Sequence, residues 1–180
     1  DSVDQELKNP FSDKEVFKKN IYKKSWIDTV QWHLEDIIRK PSIDPKEALQ
    51  IKRRIDKSNQ DRTDMVEIID EYFFNKFSNV KITEECNINT ETPAWAIDRL
   101  SILELKIFHM DVEANRSSAD EKHRLSCISK LEILKAQRKN LSKAIDQLLD
   151  NISNGKTMAL TYKQMKMYND DKLNPELYKD

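Results

Sequence analysis

A single glycine, Gly155, restricts what this 180-residue chain can fold into. Glycine is the residue that most readily adopts a positive φ or lets the backbone approach a ligand closely. Phosphate-binding loops, dinucleotide-binding fingerprints and nucleophile elbows depend on such glycines, so the chain can build none of them. Tight β-hairpins also favour glycine. Because 35% of the residues are charged and long stretches are periodic, the sequence predicts an all-α protein, an antiparallel bundle of long helices.

Prolines and the spacing of apolar residues place the predicted helices along the chain. The predicted helices span about residues 12–20, 22–39, 45–77, 92–115, 118–154 and 158–168. We expect residues 1–11 to be irregular, 78–91 to form an ordered loop with a short strand as one option, and 169–180 to form a C-terminal tail. Ser118 is the expected N-cap of its helix, and Gly155 the expected stop. At this size, residues 1–180 are expected to form one domain.

The charge balance argues against nucleic acid as a partner. Lys and Arg number 31 and Asp and Glu number 32, so the net charge is only −1. No apolar run approaches the roughly 20 residues of a membrane-spanning helix, and the first residues do not resemble a signal peptide. Cys86 and Cys127 are too few and too far apart for a disulfide framework. We therefore expect a cytoplasmic protein with two structural thiols and no membrane span.

The stretch from Thr92 to Met110 is predicted to be a buried helix that carries charge. Its apolar residues are spread around the whole helical circumference, which is typical of a helix surrounded by other helices. A buried charge costs several kcal/mol unless it is paired or hydrogen-bonded, so these side chains need partners. The charged or ionisable residues in question are Asp98, Arg99, Glu104, Lys106 and His109.

Arg62 is the expected counter-ion for this helix. It lies in the apolar stripe of the helix predicted at 45–77, and its planar guanidinium can bind Asp98 or Glu104 through two hydrogen bonds. We hypothesise that one polar cluster unites His33, Asn59, Arg62, Asp98 and Arg99. The cluster is either a stabilising network or a pocket that recognises an anion such as phosphate or carboxylate. The two interpretations differ in whether a cavity lies beside the charges.

Carboxylates on two predicted helices suggest an alternative function. Glu67 and Asp70 form an ExxD pair, and Glu35 and Asp36 are adjacent on the preceding helix. Carboxylates from two antiparallel helices can hold Mg²⁺, as in the all-helical nucleotide pyrophosphohydrolases, which this pattern partly resembles. The next glutamate of that family would fall at Ile38 or Arg39, so the likeness is incomplete. The alternative is a metal-dependent phosphohydrolase with Mg²⁺ as cofactor; otherwise the cofactor is unknown.

Four sequence strings resemble one family over almost the whole chain. They are WIDTVQWHLEDIIR (residues 26–39), LQIKRRIDKSNQDRTDMVE (49–67), INTETPAWAIDRLSILELKIFHM (88–110) and YKQMKMYNDDKLNPELY (162–178). In this order they are similar to domain of unknown function 4254, a family of bacterial, mainly Bacteroidetes, cytoplasmic proteins. The resemblance implies a helical protein and supplies no catalytic residues. A weaker similarity of DRLSILELK to another uncharacterised family, often linked with surface-glycan genes, points to that pathway.

The leading hypothesis is a protein that binds a small anionic ligand or a protein partner through its buried polar cluster, with a link to surface-glycan metabolism. The first alternative is the phosphohydrolase, and the second is a purely structural, dimerising bundle. An apolar strip from Tyr162 to Tyr178 either packs back on the bundle or forms a homodimer contact.

Overall fold

The computed structural model describes residues 3–167 and 170–179, and it confirms the predicted all-α bundle. Its helices are α1 (Val16–Ile38), α2 (Pro45–Phe77), α3 (Pro93–Ala114), α4 (Glu121–Ser153) and α5 (Pro175–Tyr178). Helix α1 packs mainly on α2 and α4 mainly on α3, while α3 also contacts α2 and, over a shorter stretch, α1. Within the described ranges, the β pairing present is an isolated bridge between Asn87 and Thr157.

Side chains at the helix starts satisfy backbone N–H groups that lack partners within the helix. Asp44 accepts hydrogen bonds from the N–H groups of Lys46 and Glu47, and a proline occupies the first helical position of α2. Thr92 caps α3 in the same way. The cap of α4 is Asp120 and not Ser118, because the chain is still turning at residues 117–119 and the first helical residue is Glu121.

Three predicted helices, at the two ends of the chain, need correction. The helices expected at 12–20 and 22–39 are one continuous helix, α1, since no proline or glycine interrupts its sequence. The helix expected at 158–168 is not present in its described part, residues 158–167, and Tyr168 lies outside the described residues. Residues 158–167, which we call the C-terminal strap, instead run over α2 and α3. The short helix α5 lies within the predicted tail.

The strap is non-helical because its backbone N–H groups bond to side chains of α2. The N–H of Tyr162 donates to Asp70 at 3.4 Å, and the N–H of Gln164 donates to Glu67 at 3.1 Å. The indole N–H of Trp95 on α3 donates to the carbonyl of Tyr162 at 3.3 Å. The apolar strip that begins at Tyr162 therefore packs back on the bundle at its start.

The core lies between facing helices, and α3 is less enclosed than its sequence suggests. Val66, Ile69, Phe73 and Ala94 form one buried cluster between α2 and α3, and Leu103, Ile107 and Leu131 form another between α3 and α4. On another face of α3, Phe108 is 62% exposed and Val112 is 49% exposed. The expectation of a helix buried all round is wrong there. No helix in the described part of the chain has both the length and the apolar character needed to span a membrane.

Gly155 ends α4 through a backbone that only glycine adopts readily. Its φ is +70°, its N–H bonds to the carbonyl of Ile152, and the N–H of Lys156 bonds to the carbonyl of Asn151. This pair of bonds is the Schellman arrangement, which satisfies the last carbonyl groups of a helix. A Cβ atom at this position would lie 2.1 Å from the carbonyl oxygen of Lys81. The prediction that Gly155 stops the helix is confirmed.

Gly155→Ala should lower the free energy of unfolding by more than about 2 kcal/mol, because it combines a left-handed backbone with a backbone clash. Urea denaturation followed by circular dichroism measures this change. Lys156→Ala, at the exposed next position, is the control and should change stability by less than about 0.5 kcal/mol. Equal stabilities for the two variants would contradict the role given to Gly155.

Candidate functional site

Four charged side chains from three helices meet inside the bundle. Lys24 and Asp28 lie on α1, Arg62 on α2 and Asp98 on α3; we call them the buried charge cluster. Lys24, Asp28 and Asp98 are 1%, 2% and 3% exposed, whereas the Arg62 side chain is 27% exposed. The two positive and two negative formal charges cancel, which is the condition under which a folded chain tolerates buried charges.

Lys24 is the centre of this cluster. Its ammonium lies 2.5 Å from an oxygen of Asp28 and 2.7 Å from an oxygen of Asp98, so it joins two carboxylates on different helices. It also donates to the backbone carbonyl of Asp98 at 3.3 Å. The hydroxyl of Ser101 donates to Asp28 at 2.5 Å. The three donors of the ammonium are thus directed at protein oxygens.

Arg62 closes the cluster on its solvent side. Its Nε donates to Asp98 Oδ1 at 2.8 Å and its Nη2 bonds to Asp98 Oδ2, which is the two-point pairing expected for Arg62 and Asp98. The same Nε lies 3.6 Å from Asp28 Oδ1, a buried oxygen without a hydrogen bond. Glu104, the other partner considered for Arg62, faces Arg138 at 3.5 Å instead.

The surroundings shift the pKa values of the two carboxylates, Asp28 and Asp98, in opposite directions. Burial raises the pKa of Asp28 more than Lys24 and Ser101 lower it. Burial also acts to raise the pKa of Asp98, but the hydrogen bonds and positive charges of Arg62 and Lys24 together bring it below its ordinary value. For Arg62, burial works against the charged form, yet Asp98 raises the pKa overall. Asp98 is therefore the carboxylate that the fold holds most firmly in its charged form.

Lys24 and Asp28 were not among the predicted site residues, although the sequence contains a signal for them. Phe17, Ile21, Lys24 and Asp28 follow one another at spacings of three and four along α1, so the charged pair continues an apolar stripe. The side chains of Lys24 and Asp28 are in fact almost completely buried.

Of the five residues expected to form one cluster, three lie together. Asn59 is one turn from Arg62, and its side chain accepts a hydrogen bond from Gln31 at 2.9 Å. Arg99 does not join them, because consecutive residues point about 100° apart on a helix and its neighbour Asp98 faces inward. Its exposed guanidinium pairs with Glu91 at 2.9 Å. His33 also lies elsewhere, with its ring 5.8 Å from that of His109 on α3.

The carboxylates proposed for a metal have separate partners. Glu35 pairs with Arg39 at 2.7 Å, Asp36 is exposed, and Glu67 accepts a bond from the strap. Asp70 is 2% exposed; burial raises its pKa, although the Thr92 hydroxyl and the N–H groups of Tyr162 and Ala94 lower it. Among residues 3–167 and 170–179, no three His, Cys, Asp or Glu side chains are arranged to hold a metal ion.

Both cysteines are free thiols. Cys127 is 4% exposed, and its sulfur lies 3.4 Å from Nε2 of His123. The same nitrogen lies 3.0 Å from Glu113. A catalytic relay would use the two ring nitrogens for two different partners, whereas here both contacts fall on one nitrogen. This arrangement fits a structural thiol better than an activated one.

Lys166 of the strap lies beside the solvent side of Arg62. Its ammonium donates to the backbone carbonyl of Asn59 at 2.7 Å. Burial lowers the pKa of Lys166, and the positive charge of Arg62 lowers it further, while Asp64 and Glu67 act in the opposite direction. Within the described residues it forms no salt bridge. The Lys166 ammonium therefore contacts α2 about one turn before Arg62, near enough for the two positive charges to interact.

The family described as protein of unknown function DUF4254 matches residues 18–160 of the chain, which therefore belongs to this family. No curated protein matches the chain, and no solved structure matches it either. The match covers α2 to α4, α1 from residue 18 onward, and all four members of the buried charge cluster.

Asp98→Asn should lower the free energy of unfolding at pH 7 by about 3 kcal/mol or more, and Asp28→Asn should lower it by less. The reason is that folding lowers the pKa of Asp98 and raises that of Asp28. Stability from ionised Asp98 is present above its ordinary value of 3.8 and is lost as pH falls below it. Asp28 acts with the opposite sign, since the fold gains stability as pH falls through its raised pKa.

Urea denaturation of the two variants between pH 7 and pH 3.5 tests this difference. The difference in unfolding free energy between Asp98→Asn and Asp28→Asn should become smaller toward pH 3.5. Equal losses of unfolding free energy in the two variants at every pH would show that the fold stabilises the charged forms of the two carboxylates equally.

Proposed function

We propose that this DUF4254 protein binds a small anionic ligand between Arg62 and Lys166, at the solvent side of the buried charge cluster. The observation that carries the proposal is that the Lys166 ammonium donates to the neutral carbonyl of Asn59, one helical turn from Arg62, and forms no salt bridge among the described residues. Phosphate and carboxylate are the ligand groups that such a site selects, because a guanidinium and an ammonium both donate hydrogen bonds to anionic oxygens.

The charges around Lys166 are mixed in sign. Among Lys24, Arg62, Lys166, Asp28 and Asp98 one positive charge is left over, but Asp64 and Glu67, which also act on Lys166, carry two negative charges. Asp64 and Glu67 attract Lys166 at longer range. Asp64 accepts a hydrogen bond from Gln60, and Glu67 accepts one from the strap. A bound anion would reduce the repulsion between Arg62 and Lys166 directly.

Arg62 has donors for a ligand as well as for Asp98. A guanidinium carries five N–H donors. Hydrogen bonds from Nε and Nη2 go to Asp98. The Arg62 side chain is 27% exposed although it holds the buried carboxylate of Asp98, so solvent reaches part of this side chain. Because Asp98 fixes the guanidinium, a ligand would meet a group that is already oriented, which reduces the entropy lost on binding.

Several finer expectations from the sequence stay predictions. They are a protein partner, a role in surface-glycan metabolism, an Mg²⁺-dependent phosphohydrolase and a purely structural dimer. No contact among the described residues favours one of them over ligand binding.

Inorganic phosphate should raise the melting temperature of the wild-type protein, because a ligand bound only by the folded state stabilises it. At a concentration tenfold above its Kd, the expected rise is roughly 3–5 °C. Lys166→Met keeps the aliphatic stem of the side chain and should abolish most of the rise. Differential scanning fluorimetry at constant ionic strength, with NaCl replacing phosphate, measures it.

Lys163→Met is the matched control. Lys163 lies on the same strap, but its ammonium faces the exposed carboxylate of Glu71 at 3.8 Å. This variant should keep the full phosphate effect. A wild-type protein that responds to phosphate no more than to NaCl, or equal responses from the two lysine variants, would refute the proposed site.

A further inference from the structure

A trough runs along the seam between α1 and α3, away from Arg62 and Lys166. It consists of two adjoining cavities of about 500 Å³ and 180 Å³, which share the wall residues Thr29, Leu105 and Phe108. The larger cavity begins at Ile21 and Ile97, and the smaller one ends at His33 and His109. Val3 and Gln5 of the N-terminal segment also line the smaller cavity. From residue 21 to residue 33, α1 rises about 18 Å, which gives the length of the trough.

The wall of the larger cavity combines small polar residues of α1 with large apolar residues of α3. Ser25 and Thr29 line it together with Leu105 and Phe108. The hydroxyl of Thr29 bonds to the carbonyl of Ser25 at 2.9 Å, and that of Ser101 bonds to Asp28. These hydroxyl hydrogens are already used within the protein, so much of the wall behaves as an apolar surface.

The two ends of the trough differ in chemistry. The far end is aliphatic, with Ile21, Ile97 and Leu100. At the other end the rings of His33 and His109 lie 5.8 Å apart, and the ring of His109 stacks on Trp32 at 4.6 Å. Imidazole N–H groups are hydrogen-bond donors, and the stacking fixes one of the two rings.

The charged and ionisable groups near the trough differ between its two ends. Glu104 lines the larger cavity and would repel an anionic group there, although Arg138 offsets part of its charge. Burial lowers the pKa of His109, and the neighbouring His33 lowers it further, while Asp36 acts in the opposite direction. An imidazole ring has an N–H donor in either protonation state, so hydrogen bonds from the two rings would hold a carboxylate at this end.

We propose that this trough binds a single-chain aliphatic carboxylate, with its head group at His33 and His109 and its chain along the wall toward Ile21 and Ile97. The larger cavity falls in the volume range of small-molecule sites, which are mostly apolar with a few convergent polar groups. Phe108, 62% exposed at the rim, would cover the chain and lose contact with water. The head group sets the direction of the ligand, and the chain supplies most of its buried surface.

Isothermal titration calorimetry with octanoate, 1-octanol and acetate tests this site in the full-length protein. Octanoate should bind with one molecule per chain and at least tenfold more tightly than 1-octanol, which has the same chain without the carboxylate. Acetate should not bind measurably, because it has no chain to bury. His33→Gln should weaken octanoate binding to the level of 1-octanol and leave 1-octanol unchanged.

Two variants test the position of the chain. Thr29→Phe fills the point that both cavities share and should weaken octanoate binding at least tenfold. Phe108→Ala removes an exposed rim residue with little risk to folding, and it should also weaken binding severalfold. Val112→Ala, an exposed residue on α3 outside the trough wall, and Lys166→Met should both leave octanoate binding unchanged.

Failure of wild-type protein to bind octanoate would overturn the proposal. Equal affinities for octanoate and 1-octanol would show that the histidines do not recognise the carboxylate group. Binding that survives both Thr29→Phe and Phe108→Ala would place octanoate elsewhere. These outcomes are independent of the phosphate response of Lys166, so the two proposed sites can fail separately.

Discussion

The position of the Lys24 ammonium between Asp28 and Asp98 is the constraint on which the rest of the structure depends. It joins α1 to α3 through bonds of 2.5 Å and 2.7 Å, and Asp98 in turn holds Arg62 of α2. A network of this kind is often no more stabilising overall than apolar residues of similar size, but loss of one member leaves a buried charge without a partner. Its effect is therefore to fix how three helices align along their axes.

The same alignment determines which surfaces are available for ligands. On one side Arg62 carries the network to solvent, where the strap places Lys166 next to it. On another side Ser101 lines the trough, and its hydroxyl donates a hydrogen bond to Asp28. This polar group of the trough wall is therefore already hydrogen-bonded within the protein. The two proposed sites therefore have different chemistry, one ionic and shallow and the other largely apolar, although they share a single internal network.

The sequence predicts α2 and α3 well because each begins with a side-chain cap and a proline and has its own apolar period. The pairing of Arg62 with Asp98 could also be foreseen, since both lie within apolar stripes. Lys24 was not foreseen, because two apolar series overlap on α1 and only packing against α2 and α3 decides which one faces inward. The non-helical strap was missed for a similar reason: its N–H groups bond to Asp70 and Glu67, which lie about 90 residues earlier in the chain.

A double-mutant cycle between Lys24 and Asp98 tests the central claim most directly. The free energies of unfolding of the wild type, Lys24→Met, Asp98→Asn and the double variant would be compared with the same cycle for Arg99→Ala and Glu91→Ala. We predict a coupling energy of about 1.5 kcal/mol or more for the buried pair and less than about 0.5 kcal/mol for the exposed pair. Additive effects of Lys24→Met and Asp98→Asn, within about 0.5 kcal/mol, would contradict the claim that their ionic contact aligns the helices.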